Sequence, residues 1–258
     1  MNAIIYFLVG LLATTVGAIS GLGGGVIIKP VLDTLGHYDI SSIGILSTFT
    51  VFSMSIVAIG KSMKDRVKLE GKRTVAIALG SILGGTIGKN LFTIFLDVVN
   101  NNIVAQKIQS VILFILLFIV VILYINDDKI KGFKVKNIFT CVIVGIMLGI
   151  VASFLGIGGG PLNVIVLMYL LGMDAKEASI HSIFTIFFSQ GSKLISVLFE
   201  EGFGVYNLEV LVYMVIGGIM GGFLGGYFSK RMPKSNVKKL FTICMVIILG
   251  FNVYNIFK

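Results

Sequence analysis

The chain has 258 residues, 56% of them hydrophobic and only 13% charged, with a net charge of +9 and a mean hydropathy of +1.02. Soluble domains carry roughly 25% charged residues, so the composition excludes a soluble globular fold and points to an all-α polytopic membrane protein. The basic excess would suggest nucleic acid in a soluble chain, but here it is concentrated in three short loops between apolar runs, so the expected surroundings are a lipid bilayer and no nucleic acid.

Apolar runs long enough to span a bilayer follow one another along the chain: Ala3–Ile19, Ser41–Gly60, Thr74–Leu96, Ala105–Ile125, Ile138–Leu155, Ala178–Phe199, Leu208–Ser229 and Val237–Phe257. Two shorter runs, Val26–Gly36 and Pro161–Gly172, each follow a glycine cluster. The first run lacks a basic region before it and a small-residue cleavage site after it, so it is expected to be a retained helix. Cys141 and Cys244 stand singly in apolar runs and match no metal pattern, so packing roles are expected. Trp is absent, which leaves any aromatic belt to Tyr and Phe.

The chain repeats itself. Gly21-Leu-Gly-Gly-Gly25 matches Gly156-Ile-Gly-Gly-Gly160, and SILGGTIGKN from Ser81 resembles GIMGGFLGGY from Gly218. Each half reads as a long helix, a glycine-rich turn, a short half-helix and three further transmembrane helices. This divides the chain into a first repeat over 1–125, a linker over 126–137 and a second repeat over 138–258. If long and short helix make one broken crossing, the repeats are parallel. If they form a hairpin, the repeats are inverted. Loop 61–73 carries Lys61, Lys64, Arg66, Lys68, Lys72 and Arg73; loop 126–137 carries Lys129, Lys131, Lys134 and Lys136; loop 230–239 carries Lys230, Arg231, Lys234, Lys238 and Lys239. Only the hairpin arrangement puts all three on the cytoplasmic side, as the positive-inside rule requires. It also leaves Glu200, Glu201 and Glu209 outside. Inverted repeats with ten helical segments are therefore expected.

A helix of about eleven residues rises roughly 16 Å, about half the hydrocarbon core. Two such helices would bring their N-termini, with free N–H groups and partial positive charge, toward each other at mid-membrane. Gly21, Gly23, Gly24 and Gly25, with Gly156, Gly158, Gly159 and Gly160, would let the backbone curl and a ligand approach. Tight helix packing is the alternative reading of both clusters, and it is the favoured one for Gly80–Gly88 and Gly217–Gly226. Pro161 suits a first helical position. Pro30 comes later, so the first short helix either begins only there or is kinked. This arrangement suits a secondary transporter with an anionic substrate at the repeat interface.

Polar residues inside the spans are functional candidates. Ser179, Ser182, Thr185, Ser189 and Lys193 share one helical face, with Gln190 beside it, and the matching first-half segment offers Ser47 and Thr48. Their hydroxyls and amide suit an oxyanion, or else bond between helices. Lys29 either neutralises an anion or reaches headgroups. Lys193, about two turns from its helix end, reads as a snorkelling side chain. His181 and Asp33 are candidates for proton coupling, with a bland hydrogen-bonded histidine as the alternative for His181. His37 and Asp39 read as solvated loop residues, and Lys89 as uninformative. No carboxylate pair, HExxH or Ser/His/Asp set is visible, so no enzyme, metal site or cofactor is expected.

The stretches GLGGGVIIKP, GIGGGPLNVIV and KEASIHSIFT resemble the TauE/SafE family of sulfite exporters, and the resemblance extends over essentially the whole chain. It implies transport of small anions, often sulfur-containing, such as sulfite, thiosulfate or organosulfonates, across the cell membrane. Three positions depart from the family pattern or from the repeat: Ile165 stands at the position equivalent to Pro30, His181 where the family often has threonine, and Leu46 at the position equivalent to His181. The expectation is a secondary transporter working by alternating access, with H+ or Na+ as a possible coupling ion. A passive anion channel, or a transporter of a non-sulfur carboxylate or oxyanion, is the alternative.

Overall fold

The computed structural model describes residues 3–64, 71–126, 132–133, 135 and 137–258. Arg66, Lys68, Lys129, Lys131, Lys134 and Lys136 lie outside the described residues. The described secondary structure is helical: α1 Ala3–Ser20, α2 Gly25–Leu35, α3 Ile40–Lys64, α4 Gly71–Val99, α5 Asn102–Ile125, α6 Ile138–Leu155, α7 Gly160–Val166, α8 Ala175–Glu200, α9 Leu211–Arg231 and α10 Lys234–Phe257. Among the described residues, eight helices are long and apolar enough to cross a membrane; α2 and α7 are the short ones. Leu12, Leu83, Met147, Phe223 and Val246 are exposed, as lipid-facing side chains are.

Helix α7 continues into a π-helical turn, Leu167–Leu171, so the second short segment is not the uniform helix that its sequence suggests. The segment ends at Leu171, so the carbonyls of Tyr169 and Leu170 in its last turn lack intrahelical partners. The N–H groups of Phe133 and Val135, just before α6, take them at 2.7 and 2.8 Å. Helix α2 runs from Gly25 through Pro30 without stopping.

Both short helices fold back to the end where their hairpin begins. Tyr6, near the start of α1, bonds through its hydroxyl to His37 Nδ1 at 2.6 Å, just past α2. The Phe133 and Val135 bonds do the same for α6 and α7. At the His37 end, Asn207 N–H donates to Ser42 Oγ at 2.9 Å and Lys258 Nζ to the Thr34 carbonyl at 2.7 Å. At the opposite, Lys234 end, Arg73 donates to the Val135 carbonyl at 3.2 Å and Lys234 pairs with Asp174 at 2.6 Å.

The two halves interlock. Helix α1 packs along α9, and α6 along α4, in matching pairs. Glycines open both seams. A Cβ on Gly80, Gly84 or Gly88 would overlap α6 backbone, and one on Gly217 or Gly221 would overlap α1, as small-residue packing predicts. Helices α3 and α8 cross between the seams, with Phe52 stacked on Phe187 at 5.2 Å. Tyr124 of α5 stacks on Phe241 of α10 at 4.0 Å.

Candidate functional site

The glycine turns meet at the centre. Gly21, Gly23 and Gly24 have φ of 77°, 78° and 83°, and Gly156, Gly158 and Gly159 have 67°, 75° and 73°. These left-handed values favour glycine. Gly25 and Gly160 need glycine for a different reason, which is space. A Cβ on Gly25 would lie 2.5 Å from the Ile157 carbonyl oxygen, and one on Gly160 would overlap the Leu22 carbonyl. Each turn thus packs its tip on the first residue of the other half-helix, and backbone fills the space between them.

Of the hydroxyls singled out in the sequence, Ser182 braces this contact, whereas Thr48 and Thr185 bond within their own helices. Ser182 Oγ donates to the Gly21 carbonyl at 2.7 Å and contacts the Gly160 carbonyl at 3.3 Å. Ser47 Oγ lies against Gly25. Thr48 donates to the Gly44 carbonyl at 2.7 Å and Thr185 to the His181 carbonyl at 3.1 Å. The Gln190 amide is buried beside Gly158. His181 Nδ1 bonds to Thr74 Oγ1 at 2.8 Å, buried between α4 and α8.

A cavity of about 330 Å³ lies beside the turns and is lined toward the His37 end by Asp39, Asp97, Glu201 and Tyr206. Of the residues expected from sequence to touch substrate, Lys29 and Gly156 line it. Among the described residues, three lysines line it: Lys29 from α2, Lys89 from α4 and Lys193 from α8. Two have carboxylate partners. Lys29 pairs with Asp33 at 3.0 Å, both side chains 3% exposed. Lys89 pairs with Glu200 at 2.6 Å and with Glu201. Tyr206 Oη donates to Glu201 Oε2 at 2.6 Å. Burial alone would raise the Glu201 carboxyl, but Lys89 and Tyr206 outweigh it and hold the group below the usual carboxylate range. Burial, reinforced by that carboxylate, pushes the Tyr206 phenol up.

Lys193 differs from the other two. It is 5% exposed, and its Nζ has one hydrogen bond, to the Ser153 carbonyl at 3.4 Å. The side chain therefore does not snorkel as expected: the ammonium stays inside, against the Ser153 carbonyl and near Gly44. Ser153 and Gln109 also line the cavity, and the Ser153 hydroxyl and Gln109 Oε1 are buried without a partner among the described residues. Asp39 caps α3, accepting from the Ser41 and Ser42 N–H groups at 3.0 and 2.9 Å.

A second cavity, of about 250 Å³, is lined toward the other end by Ala18, Ala58, Lys61, Lys176 and Lys230. The register that lays Gly21 on Gly156 lays Ala18 on Ser153, Ala58 on Lys193, Ile45 on Ile180 and Ser41 on Lys176. Each pair has one member in each cavity. The cavities are therefore counterparts, one at each end of the molecule.

The family model for the sulfite exporter TauE/SafE matches residues 6–252. The chain belongs to this family. No curated protein and no solved structure matches it. Membership, with eight long apolar helices, makes it a multi-pass protein of the cell membrane, and the family implies transport of sulfur anions such as sulfite.

Proposed function

We propose that the chain is a secondary transporter that carries a small, sulfur-containing anion of the sulfite, thiosulfate or organosulfonate class by alternating access. The observation that carries this reading is the pair of counterpart cavities at opposite ends, separated by the interlocked glycine turns. A barrier between two facing cavities suits a carrier, which opens to one side at a time, better than an open pore. The family match supports the substrate class.

The halves 1–125 and 138–258 are read as inverted repeats joined by the linker 126–137, and the two hairpin returns support that reading. Lys61, Arg73, Lys230, Arg231 and Lys234 share one end, which supports a cytoplasmic assignment for loops 61–73, 126–137 and 230–239. In the transport cycle the turns, braced by Ser182 and flanked by Ser47 and Gln190, part and let the anion pass the two half-helix ends, where the hydroxyls of Thr48 and Thr185 can turn from their own helices to the anion. Lys29 exchanges Asp33 for substrate. A coupling proton would act at Asp33 or His181, and Na+ is the other candidate for the coupling ion.

The test is flux in proteoliposomes, with sulfite, thiosulfate and an alkylsulfonate as tracers. Saturable uptake accelerated by the same anion on the far side is expected. Uptake that is linear with concentration and indifferent to the far side would overturn the carrier reading in favour of a channel.

A further inference from the structure

We infer that Lys193 and Ser153 form a binding station for a small inorganic oxyanion on the floor of the His37-end cavity. The inference deepens the transporter reading and rests on it for the meaning of the cavity. It starts from the charges. Lys29 and Lys89 each face a carboxylate. No described carboxylate lies within ion-pair distance of Lys193, and its one bond uses one of three ammonium donors. A buried charge without a partner is strongly unfavourable. An anion in the cavity supplies that partner.

The hydroxyl beside Lys193 fits the same ligand, and the unpartnered Gln109 Oε1, an acceptor, is left to water held with the ion. The Ser153 hydroxyl is buried without a partner and rotates to donate. Lys29 and Lys193 flank one backbone contact: a Cβ on Gly156 would lie 3.7 Å from Lys29 Cδ, and one on Gly44 would lie 3.8 Å from Lys193 Nζ. An anion with three or four oxygens has acceptors for both the Lys193 ammonium and the Ser153 hydroxyl, and Lys29 lines the same cavity. The volume of about 330 Å³ holds such an ion with part of its hydration shell.

Packing does not account for these residues. In the counterpart cavity the same two positions are Ala58 and Ala18, and the position of Lys89 is Gly226. The fold accepts small apolar residues there, so Lys193 and Ser153 serve something that only one cavity has. The acidic groups of the cavity do not compete for Lys193. Glu201 is held by Lys89, Asp39 by the start of α3, and Asp97 stands near the end of α4. Counting residues to the helix ends, Lys193 lies about 10 Å inside α8 while Asp97 lies about 3 Å inside α4.

The test is titration of purified protein in detergent with sulfite, thiosulfate and sulfate, read by calorimetry and thermal shift. The wild type should bind at least one of the three. Lys193→Met should weaken that binding about tenfold or more, the loss of a charge-assisted hydrogen bond, with Lys193→Arg intermediate. Ser153→Ala should weaken it several-fold. Lys193→Met should melt no lower than wild type without anion, because it removes an unpaired buried charge. Unchanged oxyanion affinity in a well-folded Lys193→Met protein would overturn the station, as would no oxyanion binding by the wild type. If oxyanions bind in a Lys193-dependent manner but proteoliposomes show no flux, the transporter reading fails and the station stands.

Discussion

Replacing Gly160 by Ala tests the contact between the two turns. Gly160 opens α7 with ordinary helical φ, so Ala suits its backbone. Only space opposes it, because the new Cβ would overlap the carbonyl of Leu22, itself fully buried. No flexible side chain can yield, so the turns must separate. Overpacking of this kind costs about 1–3 kcal/mol. A loss of that size lowers the melting temperature by roughly 2–10 °C in a chain this long. Two controls separate the causes. Gly158→Ala meets its nearest neighbour, Val51 Cγ1, at an ordinary 3.5 Å but keeps a φ of 75°; it should lose only the left-handed backbone preference, about 1–2 kcal/mol. Gly250→Ala meets nothing within 4 Å inside α10, and should leave stability unchanged or raise it by up to about 1 kcal/mol. The assay is thermal unfolding in detergent, with flux measured in parallel. A Gly160→Ala protein that melts with the wild type while Gly158→Ala falls would refute the claim that backbone contact closes the centre.

The Lys89 cluster should respond unequally to its two sides. Lys89 is 6% exposed, whereas Glu200 and Glu201 are 42% and 33% exposed. The double change Glu200→Gln, Glu201→Gln leaves a buried ammonium and should destabilise by about 3–5 kcal/mol, while Lys89→Met leaves carboxylates that reach water and should lose about 1 kcal/mol; equal melting temperatures would contradict this. Gly84→Leu should push α4 from α6, and Gly221→Leu should push α9 from α1, each cutting the yield of folded protein on size-exclusion chromatography. At Asp174, burial alone would raise the carboxyl, but Lys234 and the N–H groups of Glu177 and Lys176 hold it below the ordinary range. Its contribution is therefore complete above the unfolded pKa and is lost as pH falls through the lower folded value. Asp174→Ala should lose about 1 kcal/mol from the α8 capping box at neutral pH, and the gap to wild type should close in acid; a gap independent of pH down to pH 3 would count against the pairing.

Much of the fold can be read from the residues, and the reason is that bilayer length and glycine chemistry act locally. Eight long apolar runs and two short ones correspond to the ten helices, and the doubled GxGGG marks the two places where the chain turns back. The termini of the helices differ because polar ends such as Asp174-Ala-Lys-Glu177 extend α8 by a capping box that hydropathy does not register. The cavity is less legible. Its floor is assembled from α2, α3, α5, α6 and α8, and whether a polar residue faces it depends on how those helices meet. Gln109 is an amide inside the most apolar of the spans, and Ser153 stands three residues before Gly156; each is an intramembrane polar group and so a functional candidate. Lys193 lies on the polar stripe of α8, but by sequence its distance of about two turns from the helix end suits an interfacial side chain equally. Its ammonium turns inward to the Ser153 carbonyl of α6, a contact that no pattern within α8 reveals.

The most direct test of the account is exchange flux of labelled sulfite in proteoliposomes of the wild type and of Gly160→Ala. The account predicts saturable wild-type uptake that rises when unlabelled sulfite is placed on the far side, and a sharp fall in Gly160→Ala protein that still inserts. Wild-type vesicles that take up sulfite, thiosulfate and alkylsulfonates no faster than protein-free vesicles would contradict it.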